Sequence, residues 1–176
     1  MINSLINSSS QTYAIADLNQ MSQSAFTQAL GAIFEDTPTI ASQAWLVRPF
    51  GDRQHLHQAM AAVVLQMSPT EQLRLICAHP DLGCKFKMAE ASVQEQATVG
   101  LDRLSAAEYA KFQQLNQAYK DKFSFPFIIA VRNHTKDSIL AAFETRLTNA
   151  PDLEQQRAIA EILEIARWRL TLAVSD

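Results

Sequence analysis

The sequence predicts an all-α protein: a single compact domain of several helices with one short buried extended segment. Apolar residues recur at helical spacing along most of the chain. Only four glycines and six prolines interrupt 176 residues, so long regular elements are expected. One apolar run, residues 125–131 (FPFIIAV), lacks helical spacing and contains β-branched side chains. This run is the predicted extended segment.

Three helix patterns occupy the first half of the chain. One follows Ser22 and stops at Pro38, and a second covers residues 56–67. The third has the strongest start signal, because Ser68 can cap it and Glu71 can complete a capping box.

The third helix is predicted to bury Leu73, Ile76 and Cys77 and to end near His79. A residue before proline is disfavoured in helical geometry, which places His79 at the end of the helix. We expect Cys77 to pack as a small hydrophobic residue. Cys77 and Cys84 do not have the spacing of a zinc-ligand pair, and the sequence indicates no metal site.

The second half of the chain contains four helix starts. Ser92 and Glu95 fit a capping box at the start of a short helix, and a longer helix begins at Ser105. Helical spacing returns after Thr135, and the last helix is predicted over residues 153–173.

Composition bounds the location and partners of the protein. Residues 1–16, rich in Ser, Asn and Gln, are predicted to be a flexible extension before a domain at 17–176. The net charge of −3 and the lack of a basic stripe argue against a nucleic-acid partner. No apolar run reaches the roughly 18 residues that cross a membrane. Neither a secretory pattern nor a Ser-Lys-Leu ending is present, so a cytoplasmic protein is expected.

Three polar features could carry chemistry. His79 precedes Pro80 in a constrained loop (AHPDLG, residues 78–83), and histidine suits acid–base work near neutral pH. It could equally be a structural histidine that caps helix carbonyls. Glu95 and Gln96 follow Ser92 at a helix start, which is either a plain capping box or an anion-binding site.

Arg169 is the third feature, because it falls inside the apolar arc of the last helix. A buried cation needs a partner. That partner is either an internal carboxylate or the anionic group of a ligand, and the sequence leaves both open. His55, His57 and His134 are weaker candidates. No phosphate loop, nucleophile elbow or HExxH motif occurs, so the sequence supports neither a nucleotide nor a metal cofactor.

Taken together, these blocks resemble the 2-oxo-4-hydroxy-4-carboxy-5-ureidoimidazoline (OHCU) decarboxylase family of urate degradation. The resemblance covers nearly the whole chain from about residue 17. The matching blocks are residues 18–22, 44–50, 78–83, 92–96, 100–102, 125–128, 132–136 and 167–170. The chain departs from the family at Ser124, where glycine is common, and in a compact loop between Leu82 and Ser92.

The resemblance implies a cofactor-free homodimer that forms (S)-allantoin, with the family's catalytic histidine falling on His79. It places two further catalytic groups on Glu95 and Arg169. The substrate-binding positions implied are Pro80, Ser92, Gln96, Phe127, Ile128, Ile129, Ala130 and Val131. Two alternatives are a helical interaction module without catalysis and a related amidohydrolase of the same pathway.

Overall fold

The computed structural model describes residues 12–83 and 90–176, and this part of the chain is mostly helical. Its α-helices are α1 Ile15–Gln20, α2 Gln23–Leu30, α3 Thr39–Ala44, α4 Arg53–Gln66, α5 Pro69–Cys77, α6 Glu90–Thr98, α7 Ala106–Phe123, α8 Lys136–Arg146 and α9 Pro151–Ala173. The two strands, β1 Tyr13–Ala14 and β2 Val174–Ser175, pair in parallel. The predicted all-α class is therefore confirmed.

The end of the predicted flexible extension is ordered. Tyr13 lies in β1 opposite Val174 of β2, and Ile15 at the start of α1 is buried. The predicted boundary at residue 16 is therefore wrong, because two apolar side chains anchor a segment too short to show periodicity. Residues 1–11 lie outside the described residues, and for them the extension remains a prediction.

Local start signals place four of the helices correctly. The hydroxyls of Ser22, Ser68, Ser105 and Thr135 each accept a hydrogen bond from the backbone N–H three residues later. Each bond satisfies one of the donors that a helix start leaves free. The predicted start of α6 at Ser92 is wrong, because within the described residues the helix covers Glu90–Thr98 and already includes Ser92.

Helix α5 ends where the sequence predicts, but its buried face differs. The helix ends at Cys77 and His79 follows two residues later. Leu75 and Ile76 are buried, whereas Cys77 is exposed, so its predicted burial is wrong. Cys77 lies about 100° around the helix from Ile76, which turns it away from the core. Cys84 lies outside the described residues.

The predicted extended segment is present and buried. Residues 126–130 form no helix or strand, and every residue from Phe125 to Val131 is buried. Phe127 stacks on Phe143 of α8, with ring centroids 3.7 Å apart. Ser124, where the family often has glycine, ends α7 with a left-handed φ of 64°, the conformation that glycine adopts most readily.

Helix α9 is the central element of the domain. It packs against α4, α5 and α7, and it buries an apolar face together with charged residues, among them Glu154, Glu161 and Arg169. No helix in the described ranges has the length and apolar character needed to cross a bilayer.

Candidate active site

A cavity lies between the end of α5, helix α6, the segment 126–130 and α9. It holds about 360 Å³ of empty space, part of it open to solvent. Its walls are His79, Pro80, Leu82, Ser92, Glu95, Gln96, Phe127, Ile128, Ile129, Val131, Ile165 and Arg169. The fold therefore brings together every predicted site residue except Ala130.

His79 has a defined tautomer in this cavity. Its ring is 8% exposed, and Nδ1 lies 2.9 Å from the backbone carbonyl oxygen of Leu75. A carbonyl can only accept, so Nδ1 carries the proton. Nε2 has no hydrogen-bond partner among the described residues. This arrangement leaves the Nε2 lone pair available for acid–base chemistry.

Burial lowers the pKa of His79 below its ordinary value of 6.5. The Leu75 carbonyl and the carboxylates of Glu35 and Glu95 act in the opposite direction, and Arg169 adds to the lowering. Burial outweighs the stabilising contacts, so the neutral imidazole is the resting form at neutral pH.

Arg169 is held by two carboxylates. Its Nε donates to Glu95 Oε1 at 2.9 Å, and Nη2 donates to Glu95 Oε2 at 3.1 Å. Nη1 donates to Glu35 Oε2 at 3.0 Å and, more weakly, to the Ile33 carbonyl at 3.4 Å. Nη2 also donates to Ser92 Oγ at 3.0 Å. All five guanidinium donors therefore have partners. Of the two partners that the sequence allowed for Arg169, the structure shows the internal carboxylate.

Glu35 is a charged residue of the site that the sequence analysis missed. It is 4% exposed and accepts hydrogen bonds from Arg169 and from Ser92 Oγ, the latter at 3.0 and 3.2 Å. It follows α2 in a turn, beside the exposed Asp36. No motif or periodicity marks this position, because its two partners lie 57 and 134 residues away.

The capping box predicted at Ser92 and Glu95 is wrong. Both side chains point into the domain and contact the guanidinium of Arg169. They are 6% and 9% exposed, whereas a capping pair normally lies at the surface. They face Arg169 because Ser92 and Glu95 are three residues apart and so share one face of α6.

The loop after His79 is fixed by three polar contacts. Gln96 Oε1 accepts from the backbone N–H of Gly83 at 2.9 Å. Asn116 Nδ2 donates to the Leu82 carbonyl at 2.9 Å, and Lys120 pairs with Asp81 at 2.7 Å. Gly83 has a left-handed φ of 69°. These contacts hold the loop that carries His79 against α6 and α7.

The backbone N–H groups at the end of the segment 126–130 differ in whether they have a protein acceptor. The N–H of Ala130 donates to Glu161 Oε2 at 2.8 Å, and Ala130 does not line the cavity. Its donor is therefore already used, and its role as a substrate contact stays a prediction. Within the described ranges, the N–H groups of Ile129 and Val131 have no protein acceptor, and both residues line the cavity.

The other histidines lie away from this site. His55 is exposed and accepts from the Gly51 N–H, His57 contacts the Leu163 carbonyl, and His134 contacts Ser138. No group of three or more His, Cys, Asp or Glu side chains in the described residues is placed to hold a metal ion.

The arrangement combines one acid–base group with a polar cluster and an apolar wall. His79 supplies the acid–base group, and Arg169, Glu35 and Glu95 form a cluster with one positive and two negative charges. Phe127 and Ile165 supply apolar surface. Such a site can bind a small polar molecule, keep bulk water away and move a proton.

Comparison with known proteins gives one consistent result. The family model described as OHCU decarboxylase matches residues 19–171. A 2-oxo-4-hydroxy-4-carboxy-5-ureidoimidazoline decarboxylase from Halalkalicoccus jeotgali is 43% identical over 156 residues, covering 89% of each chain. The mouse protein of the same name is 30% identical over 158 residues, covering 88% of this chain and 89% of its own.

A solved structure is similar as well. The crystal structure of an (S)-allantoin synthase superposes with a TM-score of 0.74 at 30% sequence identity. The match covers 93% of this chain and 54% of that one, so this chain spans about half the length of the solved protein.

Proposed function

The chain belongs to the OHCU decarboxylase family and decarboxylates OHCU in urate degradation, and we propose that His79 is the group that moves the proton in this reaction. The observation that supports this proposal is the tautomer and the position of the His79 ring. It is a neutral imidazole with Nδ1 tied to the Leu75 carbonyl, in a cavity beside an Arg–Glu cluster.

The substrate explains why the reaction can proceed on side chains alone. One ring carbon of OHCU carries a hydroxyl and a carboxylate, and the adjacent C=N carbon carries the ureido group. When the bond to CO₂ breaks, its electron pair forms a double bond to the adjacent carbon, and the C=N pair moves to nitrogen, which takes a proton from water. The substrate therefore contains its own electron sink.

We assign two successive proton transfers to His79. Once CO₂ has left, neutral Nε2 takes the proton of the substrate hydroxyl, the O–H electron pair forms a carbonyl at that carbon, and the C=C pair moves to the carbon that bears the ureido group. The resulting imidazolium returns a proton to the carbon that bears the ureido group. Delivery to one face gives a single enantiomer, which we propose to be (S)-allantoin. General acid–base action of this kind is typically worth about 10²–10⁴-fold.

Arg169 orients its neighbours, and it binds the substrate by exchanging one of its protein acceptors for a substrate oxygen. Because its five donors are occupied, a substrate oxygen must replace one acceptor. The contact to the Ile33 carbonyl, at 3.4 Å, is the longest and the easiest to replace. Glu95 remains bidentate on Arg169 and, being a carboxylate near His79, favours the imidazolium formed during turnover.

The backbone of the buried segment completes the proposed site. The N–H groups of Ile129 and Val131 are placed to donate to carbonyl oxygens of the ring and the ureido group. Pro80, Phe127 and Ile128 contribute walls that exclude water, and Gln96 and Ser92 contribute polar edges.

A coupled assay tests this function. Freshly formed OHCU is given to the purified chain, and the circular dichroism of allantoin is followed together with CO₂ and ammonia. We expect faster formation of one enantiomer with release of CO₂. Turnover no faster than the spontaneous reaction would favour an interaction module, and ammonia release would favour an amidohydrolase.

Two further proposals concern the setting of the enzyme. We propose that it is a homodimer, as the family resemblance implies, and that it acts in the cytoplasm. Sedimentation velocity of the full chain measures the first, with a monomer at micromolar concentration as the contrary result. Cell fractionation measures the second.

A further inference from the structure

Two charged side chains that do not line the cavity bond to the backbone of the segment 126–130, most of which does. Arg146 Nη1 donates to the Ile128 carbonyl at 2.7 Å, and Glu161 Oε2 accepts from the Ala130 N–H at 2.8 Å. Arg146 lies at the end of α8 and Glu161 in the middle of α9, so two separate helices fix neighbouring peptide groups of one segment.

Arg146 is itself held in a buried network. Its Nε donates to Glu154 Oε1 at 2.7 Å, and Glu154 is fully buried. Glu154 also accepts hydrogen bonds from the phenol of Tyr119 and, at 2.6 Å, from Asn149. The guanidinium lies 4.4 Å from the centre of the Phe127 ring. Side chains from α7, α9 and the turn between α8 and α9 thereby fix the guanidinium of Arg146 against the segment 126–130.

Stability alone gives weak reason for such a network. Removing two charges from water is costly, and replacing a buried ion pair by packed apolar residues is often neutral or stabilising. A regular strand would satisfy the same backbone groups through a ladder, but residues 126–130 belong to no sheet. The two side chains instead satisfy the Ile128 carbonyl and the Ala130 N–H, and the Asn133 N–H satisfies the Ala130 carbonyl. The N–H and carbonyl of Ile129 are left for another partner.

The two backbone groups that Arg146 and Glu161 bind face the same side of the segment. In an extended chain, successive residues turn their N–H and C=O groups to opposite sides. The Ile128 carbonyl and the Ala130 N–H are therefore on the same side, where Arg146 and Glu161 hold them. The N–H and carbonyl of Ile129 lie on the other side, and Ile129 lines the cavity.

We propose that Arg146 and Glu161 are positioning residues, which aim the backbone groups of Ile129 at the substrate without touching it. This inference rests on the proposed function of the cavity and adds two residues that act through the segment. It also accounts for the burial of Glu154, whose role is to hold the guanidinium of Arg146. The substrate groups that match are a carbonyl and an N–H, such as those of a ureido or ring amide.

Glu161 allows the sharper test. Glu161→Ala removes the acceptor of the Ala130 N–H, Glu161→Gln keeps an oxygen there, and Arg157→Ala removes only the partly exposed partner on the other carboxylate oxygen. We expect Glu161→Ala to lower kcat/KM roughly 10- to 100-fold, mainly through kcat, with reduced enantiomeric purity. Glu161→Gln and Arg157→Ala are expected to stay within about threefold of wild type, since both keep the acceptor of the Ala130 N–H.

A second variant separates positioning from folding. The triple substitution Tyr119→Phe, Arg146→Met and Glu154→Leu replaces the network with apolar side chains and leaves the Ile128 carbonyl without its donor. We expect it to keep its helicity and to lose kcat/KM by at least tenfold.

Either of two results overturns the proposal. One is wild-type kcat/KM in folded Glu161→Ala or in the folded triple variant. The other is a loss in Glu161→Gln or Arg157→Ala of more than tenfold, which would show that charge, not the hydrogen bond, is what matters. Amide hydrogen exchange reads the contact independently of turnover: the Ala130 amide should be protected in wild type and in Glu161→Gln. An inactive wild-type protein would reject the proposed function. An Ala130 amide that is unprotected in wild type or in Glu161→Gln would reject the positioning role.

Discussion

The Nδ1 atom of His79 lies 2.9 Å from the backbone carbonyl oxygen of Leu75, one helical turn earlier. This bond uses a carbonyl that the end of α5 would otherwise leave free. It also fixes the tautomer and the orientation of the ring. The structural interpretation of His79 is therefore confirmed, because the ring caps a helix with one nitrogen. The chemical interpretation stays a proposal, and the other nitrogen is available for it.

Replacing the ring should abolish most turnover without unfolding the protein. In His79→Asn, the amide can still donate to the Leu75 carbonyl, but no group remains that takes and returns a proton. We expect kcat to fall about 10²–10⁴-fold. Steady-state kinetics and far-ultraviolet circular dichroism measure the two effects. His134→Asn, outside the cavity, is the matched control. Equal rates for His79→Asn and wild type would remove His79 from the mechanism.

Activity should fall on the acid side with a midpoint below 6.5, the ordinary pKa of histidine. Burial lowers the pKa of His79, so the neutral base persists to more acidic pH than a free imidazole would. The pH profile of kcat/KM checks this, and a midpoint above 6.5 would contradict it.

The stability of the folded protein should also fall toward acidic pH. Below 6.5 the unfolded chain binds more protons at this position, so the stability that neutral His79 contributes is lost as the pH falls.

Glu35 should tune that midpoint. Its carboxylate raises the pKa of His79, so Glu35→Gln should move the acid midpoint of kcat/KM to lower pH. The amide oxygen can still accept from Arg169 or Ser92, which preserves part of the contact. Glu164→Gln removes a carboxylate that neither lines the cavity nor acts on the pKa of His79, and it should leave the midpoint unchanged. A shift to higher pH in Glu35→Gln would show that the carboxylate does not act on His79 as described.

Gly83 should resist substitution more than Gly51. A Cβ at Gly83 would lie 3.0 Å from Leu104 Cδ1 at a left-handed φ of 69°, whereas at Gly51 the nearest atom would be 3.9 Å away. We expect Gly83→Ala to lower the free energy of unfolding by about 1–2 kcal/mol. It should also raise KM, because the N–H of Gly83 anchors Gln96. Urea denaturation of both alanine variants measures the difference, and equal stabilities would contradict the strain.

The sequence by itself determined the features that depend on neighbours along the chain. Helix starts at Ser68, Ser105 and Thr135 follow from bonds that span three residues, so residue identity and spacing are sufficient to predict them. The end of α5 near His79 follows from the restriction that a proline imposes on the residue before it. The family resemblance added the reaction, since the order of its blocks survives in the linear sequence.

Only the tertiary structure decided which polar groups pair. Helical periodicity marked Arg169 as a buried cation, but its carboxylate partners lie 74 and 134 residues away, at Glu95 and Glu35. The same holds for Ala130, whose N–H is taken by Glu161 from another helix. Such pairs form where packing brings distant segments together, and a buried charge is satisfied by whatever group the fold places beside it.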